Sequence, residues 1–316
     1  MSARIRATVL SGYLGAGKTT IVNHVLSQPH GIRLAVLVND FGPVNIDASL
    51  IRGQGERIVE LSNGCVCCSI GNDLGEALSA IAVWPEPPER LLLEASGVAE
   101  PARIAMTVGH WPGFELDAVI VAADAETVQE RAHDKYVGAL VHSQLRSADL
   151  VALTKGDIAG PDKAAQAKAW LRAAVANVRV VEAAHGRIPR EILLGLPHRG
   201  DGPGDNPRIH HHSHADFATS LWRPDRPVDT EKLRRMLSGR FPFLHRAKGF
   251  VTDGRTGDKV LIQSVGARCE ISAAVETAEP GLVLIIAGGE CNLADITREL
   301  DGCRIAWSRP IAEIGG

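Results

Sequence analysis

Long hydrophobic runs are missing from this chain of 316 residues, and no apolar stretch approaches the roughly 18 residues that a helix needs to cross a bilayer. The first residues, MSARIR, also lack the apolar core of a secretory signal peptide. We therefore expect a cytoplasmic protein without a membrane partner. Thiols stay reduced in that compartment, so a cluster of cysteines is expected to bind metal or take part in catalysis before it forms disulfides.

A strongly basic surface is missing as well. The formal net charge is −3 and no stripe of lysine and arginine stands out, which argues against nucleic acid as a partner. Hydrophobic residues make up 45% of the chain and charged residues 22%, which is typical of globular proteins with sizeable cores. At the usual size of about 150 residues per domain, the length predicts two domains.

Strand-like and helix-like segments alternate over residues 1–196. This alternation is typical of βαβ units and predicts an α/β domain with a mostly parallel sheet. Within this domain we expect, among others, a helix over 73–81 and another over 134–147. A linker rich in Gly, Pro and His then covers 197–215, and strand-like segments in succession over 216–316 predict a smaller α+β domain with an antiparallel sheet.

One segment, GYLGAGKTT at residues 12–20, contains the pattern G-x-x-x-x-G-K-[ST] of a phosphate-binding P-loop. Its setting fits, because a strand-like run over 5–10 precedes it and helical spacing over 18–27 follows it. Glycines allow backbone N–H groups to point at an anion, which side chains would obstruct. The nucleotide-binding residues predicted in this segment are Gly12, Gly15, Ala16, Gly17, Lys18, Thr19 and Thr20.

Two side chains of the P-loop and a second segment predict the phosphate chemistry. Lys18 is expected to reach the β- and γ-phosphates, and the Thr19 hydroxyl is expected to bind Mg²⁺. The segment LLLEASG at 91–97 is an apolar strand that ends in a carboxylate, which fits the Walker B role. Glu94 is therefore predicted to hold Mg²⁺ and, with Lys18, to be catalytic. Gly97 is expected to place its N–H beside the γ-phosphate.

The segment TKGD at 154–157 favours guanine as the base. GTPases use N-K-x-D at this place, where the Asp carboxylate accepts two hydrogen bonds from guanine and the Lys stem packs on the base. Adenine does not donate that pair, and such a mismatch discriminates strongly. Thr154 replaces the Asn of the motif and offers a hydroxyl instead of an amide. Lys155 and Asp157 match it.

Three thiols lie within four residues, at Cys65, Cys67 and Cys68. Side chains at i and i+2 of an extended chain share a face, so the first two point together, and a bend beside Gly64 brings in the third. Thiolates so close together need a cation, and a soft or borderline metal such as zinc suits them. A fourth ligand must come from elsewhere or from water. The alternatives are buried, inert cysteines or a redox pair of thiols.

Four histidines in five residues lie in the predicted linker. They indicate either a weak, flexible metal site or a solvated loop. The residues are His210, His211, His212 and His214.

In their order along the chain, these segments resemble the CobW-like family of P-loop GTPases, metallochaperones related to the GTPases that insert nickel into urease and hydrogenase. The resemblance covers nearly the whole chain and rests on five stretches: SGYLGAGKTT, VNDFGPVNIDASL, NGCVCC, LLLEASGVAEP and TKGD. The cysteine cluster is the most specific of these. Near the C-terminus, HRAKGFV and VLIQSVG resemble the C-terminal domain of the family.

The resemblance implies a slow GTPase that carries Zn²⁺, Co²⁺ or a similar ion on its cysteine cluster and delivers it to a client metalloprotein or cofactor-synthesis enzyme. Its partners are then GTP and GDP, with Mg²⁺ bound alongside the nucleotide. The resemblance places Asp40 in a switch region, and we count it among the catalytic residues. Pro43 stands where an acid is common in the family, so the metal shell must be completed differently.

The segment over 39–68 runs from the predicted switch into the cysteines, so we expect GTP to favour tight metal binding and hydrolysis to release the ion. Two other interpretations remain open. A P-loop kinase or ATPase with a structural zinc predicts preference for ATP and a metal that does not exchange. A redox-sensing regulatory GTPase predicts disulfide formation by the cysteines and no tight divalent metal.

Overall fold

The computed structural model describes seven stretches of the chain, which are residues 4–28, 31–38, 57–60, 70–195, 217–274, 280–287 and 293–305. The chain divides into two compact units, over residues 1–196 and 197–316. Within the described stretches, no helix is long and apolar enough to cross a membrane. The predicted linker over 197–215 lies outside the described residues, so its bounds stay a prediction.

The first unit is built on one sheet flanked by helices. Its described strands are β1 (Ile5–Ser11), β2 (Leu34–Val38), β3 (Arg57–Glu60), β4 (Arg90–Glu94), β5 (Phe114–Asp124), β6 (Leu150–Thr154) and β7 (Val180–Ala183). Its described helices are α1 (Lys18–Leu26), α2 (Ile70–Ala82), α3 (Pro101–His110), α4 (Val128–His133), α5 (Gly138–Arg146), α6 (Gly156–Ala159), α7 (Pro161–Ala174) and α8 (Arg190–Leu193).

The seven strands lie in the order β3-β2-β4-β1-β5-β6-β7, and every neighbouring pair is parallel. Parallel strands covered on both faces are continuous apolar runs, and every residue of β2 and β6 is buried. The prediction of an α/β domain with a mostly parallel sheet is confirmed.

The strands end at a common edge of the sheet. Val38 of β2 is in register with Glu60 of β3 and with Glu94 of β4. On the other side of β1, Asp124 of β5 is in register with Thr154 of β6. The segments that follow these strands therefore meet at the carboxyl edge of the sheet, where open α/β sheets bind their ligands.

Two helices differ from their predictions. The helix expected over 73–81 extends over Ile70–Ala82. The helix expected over 134–147 is present as α5 over Gly138–Arg146, but its predicted first turn, residues 134–137, is wrong. The Asp134 side chain accepts hydrogen bonds from the backbone N–H groups of Tyr136 and Val137, which makes a turn out of the expected first helical turn.

The described part of the second unit has an antiparallel sheet and two α-helices, one between its first two strands and one after its last strand. Its described elements are β8 (Phe217–Trp222), α9 (Thr230–Arg235), β9 (Leu244–Thr252), β10 (Lys259–Val265), β11 (Arg268–Ala273), β12 (Gly281–Ala287) and α10 (Leu293–Asp301). The strand order is β11-β10-β9-β12-β8, with every pair antiparallel. The Asp229 carboxylate caps α9 by accepting the backbone N–H of Lys232 at 2.9 Å. The predicted smaller α+β domain is confirmed.

Candidate nucleotide site at the carboxyl edge of the parallel sheet

The loop between β1 and α1 has the backbone of a phosphate cradle. Gly12 and Gly17 have positive φ angles of 138° and 85°, a region that favours glycine. A Cβ atom at Gly12 would lie 2.3 Å from the carbonyl oxygen of Ala122, so no larger residue fits there. The loop therefore bends tightly over the end of β5 and delivers the chain to the start of α1.

Lys18 is buried at the start of α1, and its ammonium group lies across the loop. Nζ donates to the carbonyl oxygen of Gly12 at 2.9 Å and lies 3.4 Å from that of Tyr13. A buried ammonium group needs polar partners, and the loop supplies them from its own backbone. This places the Lys18 charge at the mouth of the cradle, as its predicted role requires.

The Thr19 hydroxyl donates to Oε1 of Glu94 at 2.9 Å. Glu94 ends β4 and is only 1% exposed, so a carboxylate is held out of bulk water next to the P-loop. Hydroxyl and carboxylate oxygens are the ligands that Mg²⁺ accepts. The structure brings together the two residues that the sequence predicted as magnesium ligands, and their donor chemistry fits that ion.

Gly97 lies against the P-loop. A Cβ atom at this position would lie 2.8 Å from the backbone nitrogen of Leu14 and 2.5 Å from its Cδ2, so only glycine allows the two loops to approach so closely. The carbonyl oxygen of Gly97 accepts a hydrogen bond from Nε2 of buried Gln144 at 3.1 Å, and that of Ala99 does so at 3.0 Å. Gln144 of α5 thereby fixes the loop after β4.

Thr154 connects the end of β6 to the P-loop. Its buried hydroxyl lies 2.8 Å from the carbonyl oxygen of Ala16 and 3.2 Å from that of Ala123. The hydroxyl hydrogen is therefore engaged within the protein, and the nearest partner belongs to the phosphate cradle. The structure gives Thr154 a role in placing the P-loop, while its contact to the base stays a prediction.

Lys155 has a left-handed backbone with φ of 57° and points at the end of β5. Its Nζ donates to Oδ2 of Asp124 at 2.8 Å, while Oδ1 of Asp124 accepts the backbone N–H of Glu126 at 2.8 Å. This ion pair stretches the Lys155 stem along the carboxyl edge of the sheet. The predicted packing of that stem on a base requires such an extended side chain.

Asp157 lies in the first turn of α6, next to the loop that follows β7. Its Oδ2 lies 3.1 Å from Nδ1 of His185. The neighbouring Gly186 packs against α1, since a Cβ atom there would lie 2.7 Å from the carbonyl oxygen of Thr20. The predicted base-binding residues and the P-loop helix thus border the same region.

Sequence reasoning missed Asp124, Gln144 and His185. Asp124 is the last residue of β5, and His185 follows β7 by two residues. Polar residues at the carboxyl ends of such strands are a signal for a binding site that the sequence did offer. Gln144 gave no such signal, because a glutamine in an amphipathic helix pattern is expected to be exposed.

The predicted ligands of the transition metal lie outside the described residues, and so does the predicted catalytic residue Asp40. These ligands are Cys65, Cys67, Cys68, His210, His211, His212 and His214. In the stretches that the structure describes, no three His, Cys, Asp or Glu side chains are grouped to hold a metal ion. Neither Cys269 nor Cys303 forms a disulfide within the described residues, and Cys303 is buried.

Comparisons with known proteins match both units. The family described as CobW/HypB/UreG, nucleotide-binding domain, matches residues 6–182. The family described as cobalamin synthesis protein cobW C-terminal domain matches residues 217–304.

Curated relatives match over most of their length. "Zinc chaperone CobW" of Pseudomonas aeruginosa is 30% identical over 311 residues, which cover 84% of this chain and 82% of the relative. "Zinc chaperone YjiA" of Escherichia coli is 32% identical over 280 residues, covering 83% and 86%.

A solved structure also aligns. The Zn(II)-bound YjiA GTPase from E. coli has 25% sequence identity and a TM-score of 0.47, covering 96% of this chain and 100% of that one. The family matches and the two relatives together identify the chain. It belongs to the CobW/HypB/UreG family of nucleotide-binding proteins and carries the CobW C-terminal domain.

Proposed function

We propose that the chain is a GTP-hydrolysing metallochaperone, which binds Zn²⁺ or Co²⁺ on Cys65, Cys67 and Cys68 and releases the ion to a client under nucleotide control. Its relatives named as zinc chaperones support the metal-carrying role and favour zinc as the cargo. The client is a metalloprotein or an enzyme of cofactor synthesis. The histidine run of the linker stays a prediction of a second, weaker metal site.

The phosphate end of the site supports nucleotide hydrolysis. Lys18 places a buried positive charge at the cradle, where it neutralises the β- and γ-phosphates. Magnesium, held by Thr19 and Glu94, supplies further positive charge to the phosphate oxygens when bound. Gly97 is the proposed donor of a backbone N–H to the γ-phosphate. Because it has no side chain, it can lie close against Leu14 of the P-loop. Asp40, in the proposed switch region, is proposed as a further catalytic residue.

The base end of the site supports guanine. The Asp157 carboxylate accepts hydrogen bonds from the ring N–H and the amino group of guanine, which adenine does not offer. Lys155 extends along the edge of the sheet, held by Asp124 at 2.8 Å. Thr154 acts on the phosphate cradle, because its hydroxyl holds Ala16 of the P-loop.

One observation carries the coupling between nucleotide and metal, namely the register of β3, β2 and β4. Glu60, the last residue of β3, is level with Val38, and Val38 is level with Glu94. Neighbouring strands are about 4.8 Å apart, so the chain enters the segment with the cysteines about 10 Å from the magnesium-binding strand. This closeness of the start of the cysteine segment to the magnesium-binding strand supports the proposed coupling.

In the proposed cycle, GTP stabilises an arrangement of the segment over 39–68 that binds the ion tightly, and hydrolysis relaxes it. Linkage requires reciprocity, so metal must tighten GTP binding by the same factor by which GTP tightens metal binding. Turnover without a client is expected to be slow, at very roughly 10⁻⁴–10⁻² s⁻¹, as in GTPases without an assisting partner.

Two substitutions separate the nucleotide and metal functions. Lys18→Ala should abolish GTP hydrolysis, measured as phosphate release, while the exposed, surface-paired Lys168→Ala serves as the control. Cys67→Ser should weaken Co²⁺ binding, measured by thiolate absorption, and leave GDP affinity within about twofold. Cys269→Ser in the second unit is its matched control.

The outcomes distinguish the alternatives. Loss of GDP binding in Cys67→Ser would make the cysteines structural. Preference for ATP over GTP would favour the kinase or ATPase interpretation, and disulfide formation without metal binding would favour the redox-sensing GTPase.

A further inference from the structure

The loop between β7 and α8 carries a histidine in an unusual backbone state. His185 has φ of 52° and ψ of 27°, the left-handed region that only a few per cent of residues other than glycine adopt, asparagine, aspartate and histidine more often than the rest. Its side chain is 66% exposed, so no buried packing explains this conformation. The imidazole instead lies beside α6, with Nδ1 3.1 Å from Oδ2 of Asp157.

The backbone around His185 is pinned to the P-loop helix. Gly186 approaches α1 so closely that a Cβ atom there would lie 2.7 Å from the carbonyl oxygen of Thr20 and 2.9 Å from the backbone nitrogen of Ile21. The N–H of Arg187 donates to the carbonyl oxygen of Ala184 at 2.9 Å, which closes the turn. The position of His185 is therefore fixed relative to the element that holds the phosphates.

The other cation close in sequence to Asp157 is committed elsewhere. Lys155 Nζ lies 2.8 Å from Oδ2 of Asp124, whose side chain is buried. Asp157 is 21% exposed on its side chain, and a carboxylate on a short helix turns freely unless a donor holds it. Among the described side-chain contacts of Asp157, the ring Nδ1 of His185 at 3.1 Å is the group placed to hold it.

We propose that His185 is a positioning residue for base selectivity: its imidazole orients the Asp157 carboxylate toward the guanine edge. This inference rests on the proposed guanine-nucleotide function. A carboxylate accepts about four hydrogen bonds, so one contact with Nδ1 leaves sites for the two donors of guanine. Because the turn is anchored on Thr20, the base-reading carboxylate and the phosphate cradle keep a constant spacing.

Two substitutions at this position isolate the donor from the backbone. His185→Gly removes the imidazole and suits the left-handed backbone. His185→Asn also tolerates that backbone, and its Nδ2 occupies the place of Nδ1. His110→Asn is the matched control, because the exposed His110 contacts only the Met106 carbonyl of its own helix among its described hydrogen bonds.

The test compares the Kd values of GDP and ADP for the full-length protein by calorimetry. ADP uses the same phosphate cradle but offers Asp157 no pair of donors. We expect His185→Gly to weaken GDP roughly tenfold, the worth of about one good hydrogen bond to a charged group, with ADP within twofold. His185→Asn should restore GDP binding to within about threefold of the unsubstituted protein, and His110→Asn should change neither Kd.

Two results would overturn the inference. An unchanged ratio of GDP to ADP affinity in His185→Gly, whether both affinities stay the same or both weaken equally, would show that the imidazole does not set selectivity. Failure of asparagine to restore GDP binding would show that the nitrogen donor at this position is not what matters. If the unsubstituted protein binds GDP and ADP equally, the proposed guanine function itself fails, which is distinguishable from these two results.

Discussion

Glu94 lies at the foot of the P-loop with only 1% of its surface exposed. Removing a carboxylate from water costs several kcal/mol unless charges or hydrogen bonds compensate. The Thr19 hydroxyl supplies one hydrogen bond at 2.9 Å. A divalent cation bound by the two side chains would offset more of this cost, in keeping with the proposed magnesium site.

Replacing Glu94 with glutamine tests this residue without changing its size. The amide oxygen of Glu94→Gln can still accept from Thr19, so the fold should persist, while the charge that attracts Mg²⁺ is lost. We expect GTP hydrolysis in saturating Mg²⁺ to fall at least about 100-fold, in line with the loss of charge stabilisation in other active sites. GDP affinity measured in EDTA should stay unchanged.

Glu100→Gln is the control, because this exposed carboxylate pairs with Arg103 one turn along its own helix. Hydrolysis by Glu94→Gln within threefold of the unsubstituted protein would remove Glu94 from the magnesium site.

Short motifs predicted the residues of the site that lie next to one another in the chain. Lys18, Thr19 and Gly97 belong to such motifs, and the structure places all three around the P-loop. Asp124 and His185 were missed because each acts on a residue about 30 positions away, and only the parallel register of the strands brings the partners together.

At the scale of elements, the end of β6 controls the shape of the P-loop. The buried Thr154 hydroxyl donates to the carbonyl oxygen of Ala16 at 2.8 Å. Removing this hydroxyl takes the donor away from a buried carbonyl oxygen. Such a loss costs about 1–3 kcal/mol. The loss is expected to disturb the phosphate cradle, which both guanine and adenine nucleotides use.

Thr154→Val keeps the branched shape that a buried strand favours and removes the hydroxyl. We expect GDP and ADP to weaken by the same factor, about fivefold or more, so that the selectivity between them is preserved. Equilibrium binding of both nucleotides measures this. Thr107→Val is the control, since its exposed hydroxyl donates to Arg103 of the same helix. Loss of GDP affinity alone would instead place the hydroxyl on the base.

The strands were more predictable than the helix ends. β2 and β6 are almost entirely apolar runs, and such runs are typical of strands that are covered on both faces. Because parallel sheets are covered in this way, the sequence alone predicted parallel pairing. The start of the helix over 134–147 was wrong because the Asp134 carboxylate accepts from the backbone N–H groups two and three residues on, and hydrophobic spacing does not report such a local competitor.

At the scale of the molecule, the strand that precedes the cysteine segment ends at the same edge of the sheet as the strand that ends in Glu94. β3 delivers the chain toward the cysteines two strands from β4, in register with Glu94 through Val38. The family resemblance predicted a metal-carrying GTPase from the order of motifs, but the order of motifs does not report spacing across a sheet. The register supplies that spacing, and with it the reason to expect coupling.

The most direct test of nucleotide-gated metal binding is the affinity of the full-length protein for Co²⁺ and Zn²⁺ in three states: with a non-hydrolysable GTP analogue, with GDP, and without nucleotide. Absorption of the cobalt–thiolate bond reports binding, and Cys67→Ser shows that the signal comes from the cluster. The account predicts binding at least tenfold tighter with the analogue than with GDP, a coupling of about 1.4 kcal/mol or more. Tight binding that is equal in all three states would contradict it and make the metal site structural.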